Sequence, residues 1–206
     1  MNESHLVTTA DQLAALYGVP LETATGKEVP YVHPHYRALI EASPFAVLAT
    51  SGPGGLDASP RGDPPGFVVV EDDKTLLMPD RRGNNRIDSL RNIVADPRVA
   101  LLFLIPGIGE TLRVNGHARI SVDPALLERF AVDGKLPRTV LVIHIESVFF
   151  QCSRALIRSE LWNPEKQLPR TALPSTGQML AAVTDRRIDA ETYDRELPPR
   201  LKATLY

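Results

Sequence analysis

One stretch, Leu76-Leu77-Met78-Pro79-Asp80-Arg81-Arg82-Gly83-Asn84-Asn85-Arg86-Ile87-Asp88-Ser89-Leu90-Arg91-Asn92-Ile93, holds the residue types best suited to chemistry. An apolar run leads into a loop of arginine and asparagine, and an amphipathic stretch follows. That order suits a strand that delivers a phosphate-holding loop to the start of a short helix. Backbone N–H groups at a helix start carry partial positive charge. Arg81, Arg82 and Arg86 add fork-shaped charged donors. Gly83 is read as the residue that frees the backbone to turn. The same residues also fit a plain solvated turn at Arg81 and Arg82, since surface arginines are common.

Other residues carry the same two-way reading. Arg61, in a Pro- and Gly-rich segment, either meets a ligand or pairs with Asp57 or Asp63. Asp88 either pairs with Arg91 or supports the helix start. Thr111 is a ligand contact or an ordinary strand residue. Phe150 and Trp162 fill the core or stack on a ring. Arg154 and Arg158 are four apart, so a helix would put both on one face, in reach of a substrate anion. Cys152 reads as a small buried residue.

Composition narrows the classes. The chain has 206 residues, 43% of them hydrophobic, which suits one globular domain with decorations. Net charge is −2, so anion binding must be local and no global field favours nucleic acid. A single cysteine excludes an internal disulfide and leaves no metal cluster. The histidines at 5, 33, 35, 117 and 144 lack ligand spacing, and His33-Pro34-His35 reads as a loop and helix start. No apolar run spans a bilayer, and no basic-then-apolar leader opens the chain, so a cytoplasmic protein without a membrane partner is expected. Dinucleotide, P-loop, nucleophile-elbow and zincin motifs are absent.

The elements that must position the basic loop follow from punctuation and periodicity. Helices are expected over 11–17 and 34–42. Strands are expected over 45–50, 57–61 and 66–70, and over 75–78 after a turn at Asp72-Asp73. The helix after the basic loop is expected to bury Ile87, Leu90, Ile93 and Val94. Strands over 98–105 and 110–120 follow, with Gly116 as a bulge. A helix capped by Asp123-Pro124 runs through Phe130. A strand covers 139–145, which 148–150 extends. Residues 153–162 are a helix or an irregular segment, and a helix lies near 177–183. About six strands with short helices favour a mainly β (α+β) chain, built as a closed or nearly closed barrel with peripheral helices. The segments divide as 1–43, a helical extension; 44–162, the barrel; and 163–206, an extension packing on the barrel or on a partner.

Several blocks occur in order: Ser43-Pro44-Phe45, Asp57-Ala58-Ser59-Pro60-Arg61-Gly62-Asp63-Pro64-Pro65-Gly66-Phe67, Pro79 to Arg86, Asn92 to Phe103, Gly109 to Gly116, and Arg158-Ser159-Glu160-Leu161-Trp162. Together they resemble the pyridoxamine 5′-phosphate oxidase-like, FMN-binding split-barrel superfamily, in a bacterial branch of FMN-dependent enzymes, over roughly residues 10–185. The resemblance implies a six-stranded split barrel and a homodimer with FMN at the subunit interface. It implies that Ser59, Pro60 and Arg61 border the flavin ring, with Met78 and Pro79 on the next strand and Asp80 and Arg81 also binding the cofactor. Asn84, Asn85, Arg86 and Ser89 would surround the phosphate. Thr111 and Arg113 match a strand that commonly comes from the other subunit. Arg154, Arg158 and Trp162 are further candidates for substrate or flavin contact.

The implied activity is FMN-dependent oxidation–reduction of a small molecule, with NAD(P)H as a possible electron donor. No protein nucleophile is required, because the flavin carries the redox chemistry. A positive group near its pyrimidine side, Arg61 or Arg113, would raise its reduction potential. True pyridoxamine-phosphate oxidases add Trp-Gly and Arg-x-His motifs; this chain offers only Trp162 after Leu161 and Arg200-Leu201-Lys202, so vitamin B6 oxidation is not implied. The alternatives are a non-catalytic flavin-binding or storage module, or the same barrel with F420 or haem. F420 would need a longer basic groove. Haem would need His117 or His144 as axial ligand.

Overall fold

The computed structural model describes residues 3–206. The N-terminal segment forms α1 (Ala10–Leu16), α2 (Glu22–Thr25) and α3 (Pro34–Ala42). Thr9 caps α1, its side chain accepting from Gln12 N while the Gln12 side chain reaches back, a capping box. His33 caps α3, its Nδ1 accepting from His35 N at 3.2 Å, with Pro34 in the first turn.

The sheet begins with β1 (Phe45–Gly52) and β2 (Gly55–Gly62), joined at Pro53-Gly54. Next come β3 (Val69–Val70) and β4 (Thr75–Asp80), then α4 (Asp88–Ala95) after the basic loop. β5 (Arg98–Leu104), β6 (Thr111–Ser121), α5 (Pro124–Arg129) and β7 (Thr139–Gln151) complete the central unit. All pairings are antiparallel, in the order β2-β1-β5-β6-β7-β4-β3.

The structure therefore has seven strands, not six, and its backbone ladder does not close: β2 and β3 are its two ends. The strand expected over 66–70 shrinks to two residues. Pro64-Pro65 precede it and Gly66 sits at φ +88°, so ladder geometry starts only at Val69. β7 runs unbroken for thirteen residues, joining the two pieces expected there.

Side chains alternate along the central strands, and one face forms the core. Leu48, Leu101, Phe103, Leu112, Val114, Ile143 and Leu76 are buried there with Ile40 of α3. Each such side chain contributes about 1.5–3 kcal/mol of burial free energy. The register shifts between Asn115 and Gly116, the expected bulge, and a Cβ at Gly116 would lie 2.1 Å from the His144 carbonyl oxygen. Only glycine admits that approach.

Helix α4 buries only part of the face expected: Ile93 is buried and Leu90 packs on the core, but Ser89 and Asn92 turn inward while Ile87 is 43% exposed and Val94 79% exposed. Polar bonds decide this. Asn92 Nδ2 donates to Thr50 Oγ1 at 3.1 Å and to the Gly55 carbonyl at 3.3 Å. Gly52 lets Asn92 approach, since a Cβ there would lie 2.4 Å from its Oδ1.

Beyond β7 lie α6 (Arg154–Ser159), α7 (Thr176–Val183) and α8 (Ala190–Ala203). α8 does not figure among the sequence expectations. α7 and α8 pack on each other: Asp194 accepts from the Gly177 N–H at 2.7 Å and from the Ser175 hydroxyl. Cys152 is exposed, contrary to expectation. No helix of the described residues is long and apolar enough to cross a membrane.

Candidate functional site

A cleft of about 630 Å³ opens where β2, the end of β4, the 81–87 loop and the start of α4 meet. Arg61 bridges its floor. Its Nη1 lies 2.5 Å from Asp80 Oδ1, and its Nη2 donates to Ser89 Oγ at 3.2 Å. Ser89 Oγ in turn donates to the Asp57 carboxylate. β2 and β4 share no ladder, and this chain of side chains links them directly. Arg61 and Asp80 are only 17% and 16% exposed, so their charges are held with little screening by water. Arg61 thus takes neither Asp57 nor Asp63 as its partner.

The basic loop is held by its own polar groups. Arg81 Nε pairs with Asp63 Oδ2 at 2.7 Å, and its Nη1 donates to the Phe130 carbonyl at 2.5 Å. It is not a solvated turn residue. Asn84 Oδ1 accepts from Arg86 N at 2.9 Å. The residue with left-handed backbone is Asn85 (φ +61°), not Gly83. Asn85 Oδ1 accepts from Arg138 Nη1 at 2.9 Å, which fastens the loop to the start of β7. Arg86 extends into solvent and pairs with Asp88 at 2.5 Å; that hydrogen bond raises the guanidinium pKa above its ordinary value. Asp88 lies 4.0 Å from Arg91, so Arg86 is its nearer partner. Tyr206 donates to Asp63 Oδ1 at 2.5 Å and stacks near Arg81, 5.5 Å from the ring centroid. The hydrogen bond to Asp63, aided by burial, raises the Tyr206 pKa.

Among the described residues, two buried side-chain polar atoms have no partner, Arg61 Nε and Thr139 Oγ1. Both belong to residues that line this cleft. Arg61 Nε–H can only donate. A buried donor left unmet costs about 1–3 kcal/mol. Phe67, Pro60, Pro79 and Leu90 supply the apolar part of the wall. The α4 N-terminus adds free backbone N–H groups, because Ile87 gives it no side-chain cap.

The cleft gathers ten of the residues singled out from sequence: Ser59, Pro60, Arg61, Pro79, Asp80, Arg81, Asn84, Asn85, Arg86 and Ser89. Met78 stands behind them, 1% exposed, and is a core residue. Thr111 and Arg113 lie elsewhere. The register runs Pro60↔Val47↔Leu102↔Arg113↔Phe149 across β2, β1, β5, β6 and β7, which puts Arg113 on the sheet face opposite the core. Thr111, two residues earlier on β6, shares that face. Arg113 packs over Phe149 at 5.3 Å. Pro60 belongs to both groups because β2 is the sheet edge.

Arg154 and Arg158 are exposed on α6, outside the cleft. Trp162 donates from Nε1 to the Ile108 carbonyl at 2.8 Å and fastens α6 to the β5–β6 loop. Phe150 packs on the core beside Tyr36. The cleft also holds Asp57, Arg138, Thr139 and Phe67, which the sequence did not single out as site residues. Asp57 and Phe67 lie inside a quoted block. Arg138 and Thr139 carry no local signal and enter only because Thr139 pairs with Asp80 across β4 and β7. Among the described residues, no three His, Cys, Asp or Glu side chains gather as a metal set.

Comparison with known proteins adds to this geometry. A family model described as pyridoxamine 5′-phosphate oxidase matches residues 32–152, from α3 through β7. No curated protein matches the chain. Among solved structures, HupZ of Group A Streptococcus is similar at 24% identity and TM-score 0.48, covering 59% of this chain and 94% of its own. A Clostridium acetobutylicum protein related to general stress protein 26, of the pyridoxinephosphate oxidase family, is similar at 18% identity and TM-score 0.44, covering 57% of this chain and 86% of its own. An FMN-binding protein from Syntrophomonas wolfei is similar at 15% identity and TM-score 0.43, covering 55% of this chain and 82% of its own. The match over 32–152 takes in β2, the basic loop, α4 and β6, and with it the chain belongs to the pyridoxamine 5′-phosphate oxidase family.

Proposed function

We propose that the chain is an FMN-dependent oxidoreductase acting on a small molecule, with the flavin in the cleft between β2, β4 and α4. The observation that carries this reading is the cleft's composition: Arg61 and Thr139, each with one buried polar atom that has no partner among the described residues, line it beside a basic loop and an uncapped helix start. The donor set fits FMN. Arg86, Asn84, Asn85 and the α4 N–H groups would hold its phosphate. Arg61 would donate to an acceptor edge of the ring system, and Phe67, Pro60 and Pro79 would flank its apolar part. When bound, the flavin supplies the two-electron chemistry. Arg61 keeps positive charge beside it, and Asp80 and Ser89 keep Arg61 from swinging away.

The reading includes a homodimer. Its support is the outer sheet face, where Val47, Ala49, Ala100 and Leu102 stand only half-buried in one chain. A second copy covering that strip would bring Thr111 and Arg113 toward its partner's cleft and give the split-barrel dimer. Electrons from NAD(P)H and a cytoplasmic location belong to the same reading.

The test is titration of the purified chain with FMN, followed by NADH or NADPH under anaerobic conditions. The reading expects flavin uptake and bleaching of the flavin absorbance by one of the two donors. Uptake without bleaching by either donor or by a substrate panel would favour a storage module. No uptake would sink the reading.

A further inference from the structure

Around the basic loop Arg61 faces Asp80, Arg86 faces Asp88 and Arg81 faces Asp63, whereas among the described residues Arg82, Arg138 and Lys135 face no carboxylate. A second pocket, of about 410 Å³, adjoins the loop, and its charged lining is Arg81, Arg82, Lys135 and Arg138. Among the described residues no carboxylate side chain lines it, although Asp63 binds two lining residues, Arg81 and Tyr206, and Ala203 completes the wall. Among the described residues, the side chains of Arg82 and Lys135 have no hydrogen-bond or ion-pair partner. Arg138 donates only to the neutral amide of Asn85. Asp133 lies near the Tyr206 hydroxyl but is not part of the lining.

Cations gathered in a concave surface repel one another unless an anion joins them. With Arg81 held by Asp63, two guanidinium forks, Arg82 and Arg138, and the Lys135 ammonium remain, a set that suits a multiply charged oxyanion better than a single carboxylate. Lys135 and Tyr206 lie outside the cofactor cleft, whereas Arg81, Arg82 and Arg138 border both spaces. An anion here would therefore sit beside the cofactor loop without occupying it.

We infer that this pocket is a second anion site, and that it holds a phosphate group of the molecule that meets the cofactor. Its place beside a flavin rests on the function proposed above; its charge does not. Two sources share this chemistry: the 2′-phosphate of a reduced nicotinamide dinucleotide, and the phosphate of a phosphorylated substrate.

Inorganic pyrophosphate is the probe, titrated calorimetrically into the full chain with and without saturating FMN. Lys135→Ala removes a cation that only this pocket uses. Pyrophosphate binding should weaken about tenfold in Lys135→Ala, with FMN affinity and melting temperature unchanged. Arg82→Ala should weaken it as well. Pyrophosphate that displaces FMN and ignores Lys135→Ala would overturn the inference, as would no binding at millimolar concentration. Lys135-dependent binding in a chain that takes up no FMN would keep the pocket and sink the cofactor reading instead. Tighter binding of NADPH than NADH, lost in Lys135→Ala, would assign the phosphate to the electron donor. Equal binding of the two would assign it to the substrate.

Discussion

Arg61 and Arg113 stand on strands of one sheet, yet they serve opposite faces. Arg61 pairs in register with Ala46, a core residue, and so turns into the cleft. Arg113 pairs with Leu102 on the outer face, over an apolar strip that one chain leaves half-covered. The Arg61 side is electrostatically closed: Asp80, Ser89 and Asp57 hold it in one network. The Arg113 side has only the Phe149 ring. A single chain therefore places the two groups of residues that the resemblance singles out on opposite faces of the sheet. The difference teaches that strand parity, not distance along the sequence, decides which residues one chain can bring together.

The largest effect should come from Arg61→Ala. It strands the Asp80 carboxylate in a poorly solvated place and removes the donor aimed into the cleft. Stability should fall by about 2–3 kcal/mol in urea melts, and FMN affinity by roughly a hundredfold. Arg61→Lys should recover only part of either, because an ammonium lacks the fork that spans Asp80 and Ser89. Wild-type FMN binding in Arg61→Ala would remove the cleft from the account.

On the outer face, Leu102→Asp should abolish self-association in sedimentation while leaving the melting temperature close to that of the parent. An unchanged sedimenting mass would show that this face is not the dimer contact. Arg86→Ala comes next. FMN affinity should drop about tenfold, with almost no change in melting, since the side chain is exposed. Unchanged affinity would return Arg86 to the surface.

The smallest effect is a control that belongs to neither face. Asp96 follows α4, and hydrogen bonds from Arg98 lower its carboxyl pKa from the ordinary 3.8 to about 2. A depressed carboxylate pKa stabilises the fold above the unfolded value and loses that contribution as pH falls through the folded one. Asp96→Asn should thus flatten acid unfolding only between about pH 4 and pH 2. FMN should leave that window unmoved.

Much of this arrangement was legible in the residues themselves. Gly116 announced its bulge because no other residue tolerates the His144 carbonyl so close. His33-Pro34 announced the start of α3 through cap chemistry. Local patterns failed where partners distant in sequence decide. The inward face of α4 takes in Asn92 beside Ile93 because Asn92 finds Thr50, 42 residues away; periodicity alone favours Ile87 and Val94. Thr139 enters the cleft through its pairing with Asp80, and nothing near it in sequence marks it. The loop was recognisable as basic, but which of its cations is paired depends on Asp63, 18 residues before Arg81, which only the fold brings near.

The central claim is that the cleft beside Arg61 holds FMN. The most direct measurement is to purify the chain after exposure to FMN, release what it holds, and take the mass and absorbance spectrum of the released molecule. The account predicts FMN, one per chain in wild type and none retained by Arg61→Ala. A colourless wild-type chain that releases no flavin, or one that releases F420 or haem in its place, would contradict it.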